Sequence, residues 1–176
     1  MAEYTKDELY ELVKNSPEEF NEWKKTQSNV DLSEMDFSSL TLEEIDFSNA
    51  DLNASSFADC HLTLVKFNGT NLTSSEFTRS TAQECDFSES SLNGADFSYA
   101  SANYCNFTDS DMAGVVFLES DLTNSDFSAA YNMSACRFDE ETVWPEIDML
   151  PEDFDSTYSD DLSSLKDDDD SGHEEY

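Results

Sequence analysis

Basic residues, histidine, glycine and proline are all scarce in this chain, and each shortage closes off a class of function. Lys and Arg number 8 against 41 Asp and Glu, a formal net charge of −33 at pH 7. A surface of that sign cannot neutralise phosphates, so direct nucleic-acid binding is excluded and attraction to anionic membranes goes with it. The only two histidines are His61 and His173, and no metal triad, nucleophile elbow or Gly-rich phosphate loop is present. With 4 Gly and 3 Pro, turns have to be made without the residues that usually make them. The four cysteines, Cys60, Cys85, Cys105 and Cys136, lack C-x-x-C spacing and read as small core residues with free thiols. No apolar run approaches the roughly 20 residues of a membrane-spanning helix. Met1 to Tyr10 lacks the basic and apolar regions of a secretory leader. The chain therefore reads as cytoplasmic and non-enzymatic, with no metal and no cofactor.

What is present is a repeat. From Leu32 an apolar residue recurs every fifth position for 100 residues without an insertion, and Phe takes every second place. The ten are Phe37, Phe47, Phe57, Phe67, Phe77, Phe87, Phe97, Phe107, Phe117 and Phe127, and they form the expected structural core. A second, mostly small set lies two residues before each centre, as at Val30, Ala50, Cys60, Ser75 and Ala95. The position just before the centre is often Asp, and the position after it is commonly Ser, Thr or Asn. A period of five matches neither a helix nor a strand. It fits a chain that turns a corner every five residues, with one large and one small side chain pointing inward on each side.

Segments such as Ala50-Asp51-Leu52-Asn53, Ala95-Asp96-Phe97-Ser98 and Ser125-Asp126-Phe127-Ser128 resemble the A(D/N)LXX units of the pentapeptide-repeat family. The resemblance implies an all-β solenoid, a right-handed quadrilateral β-helix with four units per coil and an N-terminal helical cap. Folded at a period of twenty, the Phe37 and Phe47 series stack on opposite sides. Leu32, Leu52, Leu72, Leu92 and Met112 form a third column, and Leu42, Leu62, Ala82, Ala102 and Leu122 a fourth, thinned by its alanines. Cys85 and Cys105 fall on adjacent coils.

The expected organisation has four parts. Residues 1–28 form a helical cap, with Thr5 and Glu8 as a capping box, Pro17 opening a second helix, and Phe20 and Trp23 facing the first coil. Residues 29–138 form the β-helix. The register slips by one at Met133 and Phe138, and residues 139–155 close the other end. Residues 156–176, with the run Asp167 to Asp170, read as a disordered acidic tail without the spaced ligands of a calcium loop.

The charge suggests a function. Residues 29–138 carry 18 acidic and 3 basic residues, a net of −15. Over 5.5 coils at about 4.8 Å each, this is roughly one net charge per 1.7 Å of axis, close to duplex DNA. The acids expected to bind a partner are Asp31, Asp36, Asp46, Asp51, Glu76, Asp86, Glu89, Asp96, Asp109, Asp111, Glu119, Asp121 and Asp126. Asp31, Asp51 and Asp111 should align on one face, Asp46, Asp86 and Asp126 on another, and Asp36, Glu76 and Asp96 on a third. Some pentapeptide-repeat proteins mimic DNA and bind type II topoisomerases. The resemblance thus implies a DNA mimic for a protein with a basic groove, DNA gyrase or topoisomerase IV first. Alternatives are an anti-restriction or nuclease-inhibiting mimic of phage origin, and a scaffolding module whose acidic tail recruits a basic partner. A tail that serves solubility alone also fits. Relatives directed at gyrase commonly dimerise through an apolar C-terminal element. The corresponding Trp144, Ile147, Met149, Leu150 and Phe154 allow a homodimer here, although Pro145, Pro151 and many acids interrupt them.

Overall fold

A computed structural model describes residues 4–156, so the proposed tail from Thr157 onward lies outside the described residues. Helix α1 spans Lys6–Asn15 and α2 spans Pro17–Lys24. Thr5 and Glu8 form the capping box: the Thr5 hydroxyl accepts from the Glu8 N–H, and Glu8 accepts from the Thr5 N–H at 2.8 Å. Pro17 opens α2.

The chain then coils. Four parallel ladders run the length of the repeats, each pairing a residue with the one twenty positions on. We number the sides 1 to 4 from their first centres, Leu32, Phe37, Leu42 and Phe47. Only side 3 is regular enough to form named strands, β1 (Thr41–Glu43), β2 (His61–Thr63), β3 (Thr81–Gln83) and β4 (Ser101–Asn103), in the order β1-β2-β3-β4. On every side the centre donates its N–H to the next coil, as Leu32 does to the Asp51 carbonyl at 2.8 Å. The next coil returns a bond one residue earlier, as Asp51 N–H does to the Val30 carbonyl at 2.9 Å.

Both Phe columns are fully buried and meet along the axis. Within a column, ring centroids lie 4.6 to 5.6 Å apart. Between sides 2 and 4 they lie 5.3 to 6.1 Å apart, mostly edge to face. Offset stacking along one direction and edge contacts along the other are the two arrangements aromatic quadrupoles favour. Ala82 and Ala102 are buried on side 3.

The small inward set contains many hydroxyls, and most are satisfied locally. Ser55, Ser75, Ser90, Ser110 and Ser120 each donate to the carbonyl of the preceding centre, at 2.5 to 2.9 Å. That bond lets a polar residue occupy a buried site at little cost. The corners explain how the chain turns with so little glycine. Nineteen successive corners, two residues after each centre from Glu34 to Asn124, all hold positive φ between 51 and 72°, and only Gly69, Gly94 and Gly114 among them are glycine.

Both ends of the stack are covered. Phe20 of α2 lies 5.6 Å from Phe47, and Tyr10 of α1 lies 5.9 Å from Phe37. Trp23 packs beside Phe20 at 6.0 Å and against Tyr4 at 5.5 Å, and lies against the buried core. At the other end Trp144 touches Phe117 at 5.5 Å and Phe127 at 5.8 Å, backed by Phe138 and Phe154. The last coil's four centres, Met112, Phe117, Leu122 and Phe127, donate to the carbonyls of Tyr131, Arg137, Val143 and Met149. Those acceptors are six residues apart, so the closing turn keeps all four sides but carries one extra residue in each of the three steps between them. The 3-10 turns Met133–Ala135 and Ile147–Met149 take up part of the excess.

Candidate interaction surface

The repeat places its acids in two structurally distinct positions. The first is the residue before the centre. There Asp Oδ1 accepts the N–H of the residue two positions on, and often its hydroxyl as well. The N–H bonds are 3.0 Å for Asp31 and Ser33, 2.9 Å for Asp36 and Ser38, 3.0 Å for Asp46 and Ser48, and 3.0 Å for Asp86 and Ser88. Asp51, Asp96, Asp111, Asp121 and Asp126 make the same bond to Asn53, Ser98, Ala113, Thr123 and Ser128. This is an Asx turn that steers the chain into each corner. Asn71 and Asn106 perform it equally well, to Thr73 at 3.2 Å and Thr108 at 3.0 Å, so the turn needs the oxygen and not the charge.

The ladders align these residues as the spacing predicts, but they rarely stack acid on acid. Side 4 runs Asp46, Lys66, Asp86, Asn106, Asp126, and side 1 runs Asp31, Asp51, Asn71, Ser91, Asp111. Side 2 runs Asp36, Ser56, Glu76, Asp96. Donors sit between the carboxylates: Asn71 Nδ2 reaches Asp51 at 3.0 Å, Asn106 Nδ2 reaches Asp86 at 3.2 Å, and Ser56 Oγ reaches Glu76 at 3.2 Å. Alternation relieves repulsion that two carboxylates on adjacent strands would otherwise suffer.

The second position is the corner. Glu34, Glu44, Asp59, Glu84, Glu89, Asp109 and Glu119 all occupy it, all with positive φ and all exposed. Of these, the partner-binding set read from the sequence holds Glu89, Asp109 and Glu119 and omits the other four. The fixed spacing of five, two residues after each centre, is the signal that finds them all. The same set holds Asp51, Asp86, Asp96, Asp111, Asp121 and Asp126, which are half-buried between neighbouring coils, whereas Glu76 is exposed. Counting every charged residue over 30–129, including Glu43 just after its centre, each of the four sides carries a net charge of −4, so the acid encircles the solenoid.

The N-terminal helices compensate part of this charge. Lys6 Nζ lies 2.9 Å from Asp31 and donates to the Ser33 carbonyl at 2.7 Å. Lys24 Nζ lies 3.6 Å from Asp46 and donates to the Ser48 carbonyl. The Ser33 hydroxyl, then Lys6 and the Ser33 N–H, hold Asp31 down at about 2. The Ser38 hydroxyl and N–H lower Asp36. Burial under α2 works against Asp46, yet Ser48, Lys24 and Lys66 together leave its carboxyl below the usual range. Between Ser80 and Cys136, by contrast, the sequence holds nine acids and no Lys or Arg, with Lys66 beside Asp86 on the ladder.

Of the four thiols, three are held above the ordinary range, while the hydrogen bond with Cys105 lowers Cys85. Burial pushes Cys60 up to about 11 and Cys136 up to about 12. Cys85 and Cys105 are stacked; the hydrogen bond between them, with burial, holds Cys105 well above the usual thiol range. His61 is exposed on side 3. Among the described residues no helix is long and apolar enough to cross a membrane. In the C-terminal segment Trp144, Leu150 and Phe154 pack inward, while Ile147 and Val143 are 73% and 49% exposed.

A single-chain parallel solenoid with four ladders and a five-residue side defines a narrow class of proteins. Residues 27–97 match the family described as "Pentapeptide repeat region", and residues 90–128 match "Pentapeptide repeats (8 copies)". Together they span more than half of the chain, which belongs to the pentapeptide-repeat family, whose coil is a right-handed β-helix. Proteins of this family are generally structural or interaction proteins rather than enzymes.

No curated protein matches the chain. Among solved structures it is similar to a pentapeptide repeat protein of the Arabidopsis thaliana thylakoid lumen, at 29% identity over 60% of this chain and 66% of that one, TM-score 0.36. It is also similar to QnrB1, a plasmid-mediated fluoroquinolone resistance protein, at 20% identity over 62% and 57%, TM-score 0.45. A third is HetL of the cyanobacterium Nostoc, involved in heterocyst differentiation regulation, at 18% identity over 61% and 54%, TM-score 0.35. The chain spans less than two thirds of the length of each.

Proposed function

We propose that this protein is a non-enzymatic DNA mimic whose acidic rod occupies the basic groove of a DNA-binding protein. The family resemblance puts DNA gyrase and topoisomerase IV first among the candidates. The observation that carries the reading is the set of corner carboxylates. Asp before a centre is explained by the Asx turn, so it says little about function. A Glu in a left-handed corner has no such explanation, because Gly, Asn or Asp fits that backbone at lower cost; five of the corner acids are Glu34, Glu44, Glu84, Glu89 and Glu119. Seven corners nevertheless hold an acid. Charge on all four sides suits a groove that surrounds its ligand better than a flat partner that meets one face. A homodimer through the C-terminal segment would rest on Ile147 and Val143, since its larger apolar residues are used within the chain.

The test is a DNA supercoiling assay with purified gyrase, titrating the protein against a Glu84→Asn, Glu89→Asn, Asp109→Asn variant. The parent inhibits in a dose-dependent way that added salt weakens. The variant is at least as stable and inhibits less. No effect of the parent on gyrase or topoisomerase IV at large molar excess overturns the assignment of target, and restriction enzymes and nucleases become the next proteins to assay.

A further inference from the structure

Two corners carry tyrosine where the fold asks for nothing large. Tyr99 and Tyr104 sit at successive corners of one coil, with φ of 61° and 56°, and are 50% and 59% exposed. A bulky side chain in the left-handed region is uncommon. Neither ring belongs to the run of aromatic contacts along the core. Between them lies β4, Ser101–Asn103, on the only side of the solenoid that forms a regular sheet. That side is about 10 Å wide, the separation of the two sides that flank it.

Carboxylates border the same surface. Glu84 is the corner residue one coil above Tyr104, and its N–H bonds the Asn103 carbonyl at 3.1 Å. Glu119 is the corner residue one coil below Tyr99, whose N–H bonds the Leu118 carbonyl at 2.7 Å. Asp121 pairs with Ser101 on the ladder between them. A flat strand flanked by two exposed rings and bordered by three acids offers stacking and charge together.

We infer that side 3 around β4 docks an arginine-bearing segment of a protein partner and prefers arginine to lysine. The guanidinium is planar and weakly hydrated, so it stacks on a tyrosine face while pairing with a carboxylate; an ammonium is compact and strongly hydrated and gains less from the ring. The inference rests on the reading of the rod as a ligand for basic proteins, and it names the face and the chemistry that face selects.

The test uses the full chain with octa-arginine and octa-lysine, followed by fluorescence anisotropy at physiological salt. The tyrosine variant is Tyr99→Asn with Tyr104→Asn; Asn49 and Asn124 already occupy equivalent corners at φ 57° and 60°, so the fold tolerates it, and a thermal melt confirms this. The parent binds octa-arginine about tenfold more tightly than octa-lysine, from two exposed cation–π contacts. In the variant octa-arginine loses several-fold in affinity and octa-lysine less, so the ratio falls to about half its parent value or below. Equal affinities in the parent, or a preference that the substitutions leave undiminished, overturn this inference and leave the acidic-rod reading standing. Failure of both peptides to bind overturns both.

Discussion

The two ends of the solenoid meet the same physical demand with opposite electrostatics. Each must cover a column of Phe rings and satisfy the backbone groups that the last coil leaves open. At the N-terminal end two short helices do this with side chains: Phe20 and Tyr10 cover the rings, Lys6 and Lys24 donate to the Ser33 and Ser48 carbonyls, and Asn21 bonds the Glu44 carbonyl at 2.8 Å. The lysines also neutralise Asp31 and Asp46. At the C-terminal end the chain uses its own backbone, with one carbonyl per side at a spacing of six, and Trp144 covers the rings. Residues 139–156 contain eight acids and no Lys or Arg. The closing segment therefore holds fewer cations of its own than the N-terminal helices do. The C-terminal half is left as the stronger anion, and the proposed function predicts that a basic partner is drawn there first.

The largest effects separate the two closures. Phe20→Ala and Trp144→Ala each cost about 3–5 kcal/mol in urea denaturation, because each opens the end of a packed aromatic column. Hydrogen exchange then localises the damage: the first opens the amides around Phe37 and Phe47, the second those around Phe117 and Phe127. Damage that spreads evenly along the rod breaks the comparison. Next comes Lys24→Met, which removes the donor from the Ser48 carbonyl and the charge beside Asp46 and costs about 1–2 kcal/mol. The exposed Lys25, paired with Glu22 at 2.6 Å, sharpens the contrast, and Lys25→Met changes stability by less than about 0.5 kcal/mol.

In the lower coils Asp86→Ala costs about 1 kcal/mol, whereas Asp86→Asn stays within about 0.5 kcal/mol, because the amide oxygen keeps the turn. Equal losses for the two would show that the charge itself is structural. The smallest effect is acid sensitivity at the N-terminal end. Asp31, Asp36 and Asp46 have folded-state pKa values below their unfolded ones, so their contribution is complete above about pH 4 and is lost as pH falls towards 2. Hydrogen exchange at pH 3 should show the first coil opening relative to its state at pH 5.

Much of this was legible in the residues. An inward site in a solenoid is fixed by local spacing alone, so the period of five is enough to place both Phe columns and the stacked Cys85 and Cys105. Thr5, Glu8 and Pro17 mark the helices by cap chemistry that is equally local. The closing coil was visible only as a slip at Met133 and Phe138, because backbone carbonyls set its six-residue register and carry no side-chain signature. Lys6 and Lys24 could not be assigned to Asp31 and Asp46 from spacing, since that contact depends on how the helices dock. At the candidate site, the Asp residues before the centres were easy to find and turn out to serve the turns. The corner acids had the same spacing but lacked an obvious motif.

The most direct test of the central claim compares the full chain with one ending at Ser156 in the gyrase supercoiling assay. The account predicts half-inhibitory concentrations within about threefold of each other, because the rod provides the ligand and the added acids contribute only screened, long-range attraction. Loss of inhibition on truncation would place recruitment in the segment after Ser156 and contradict a rod-based mimic.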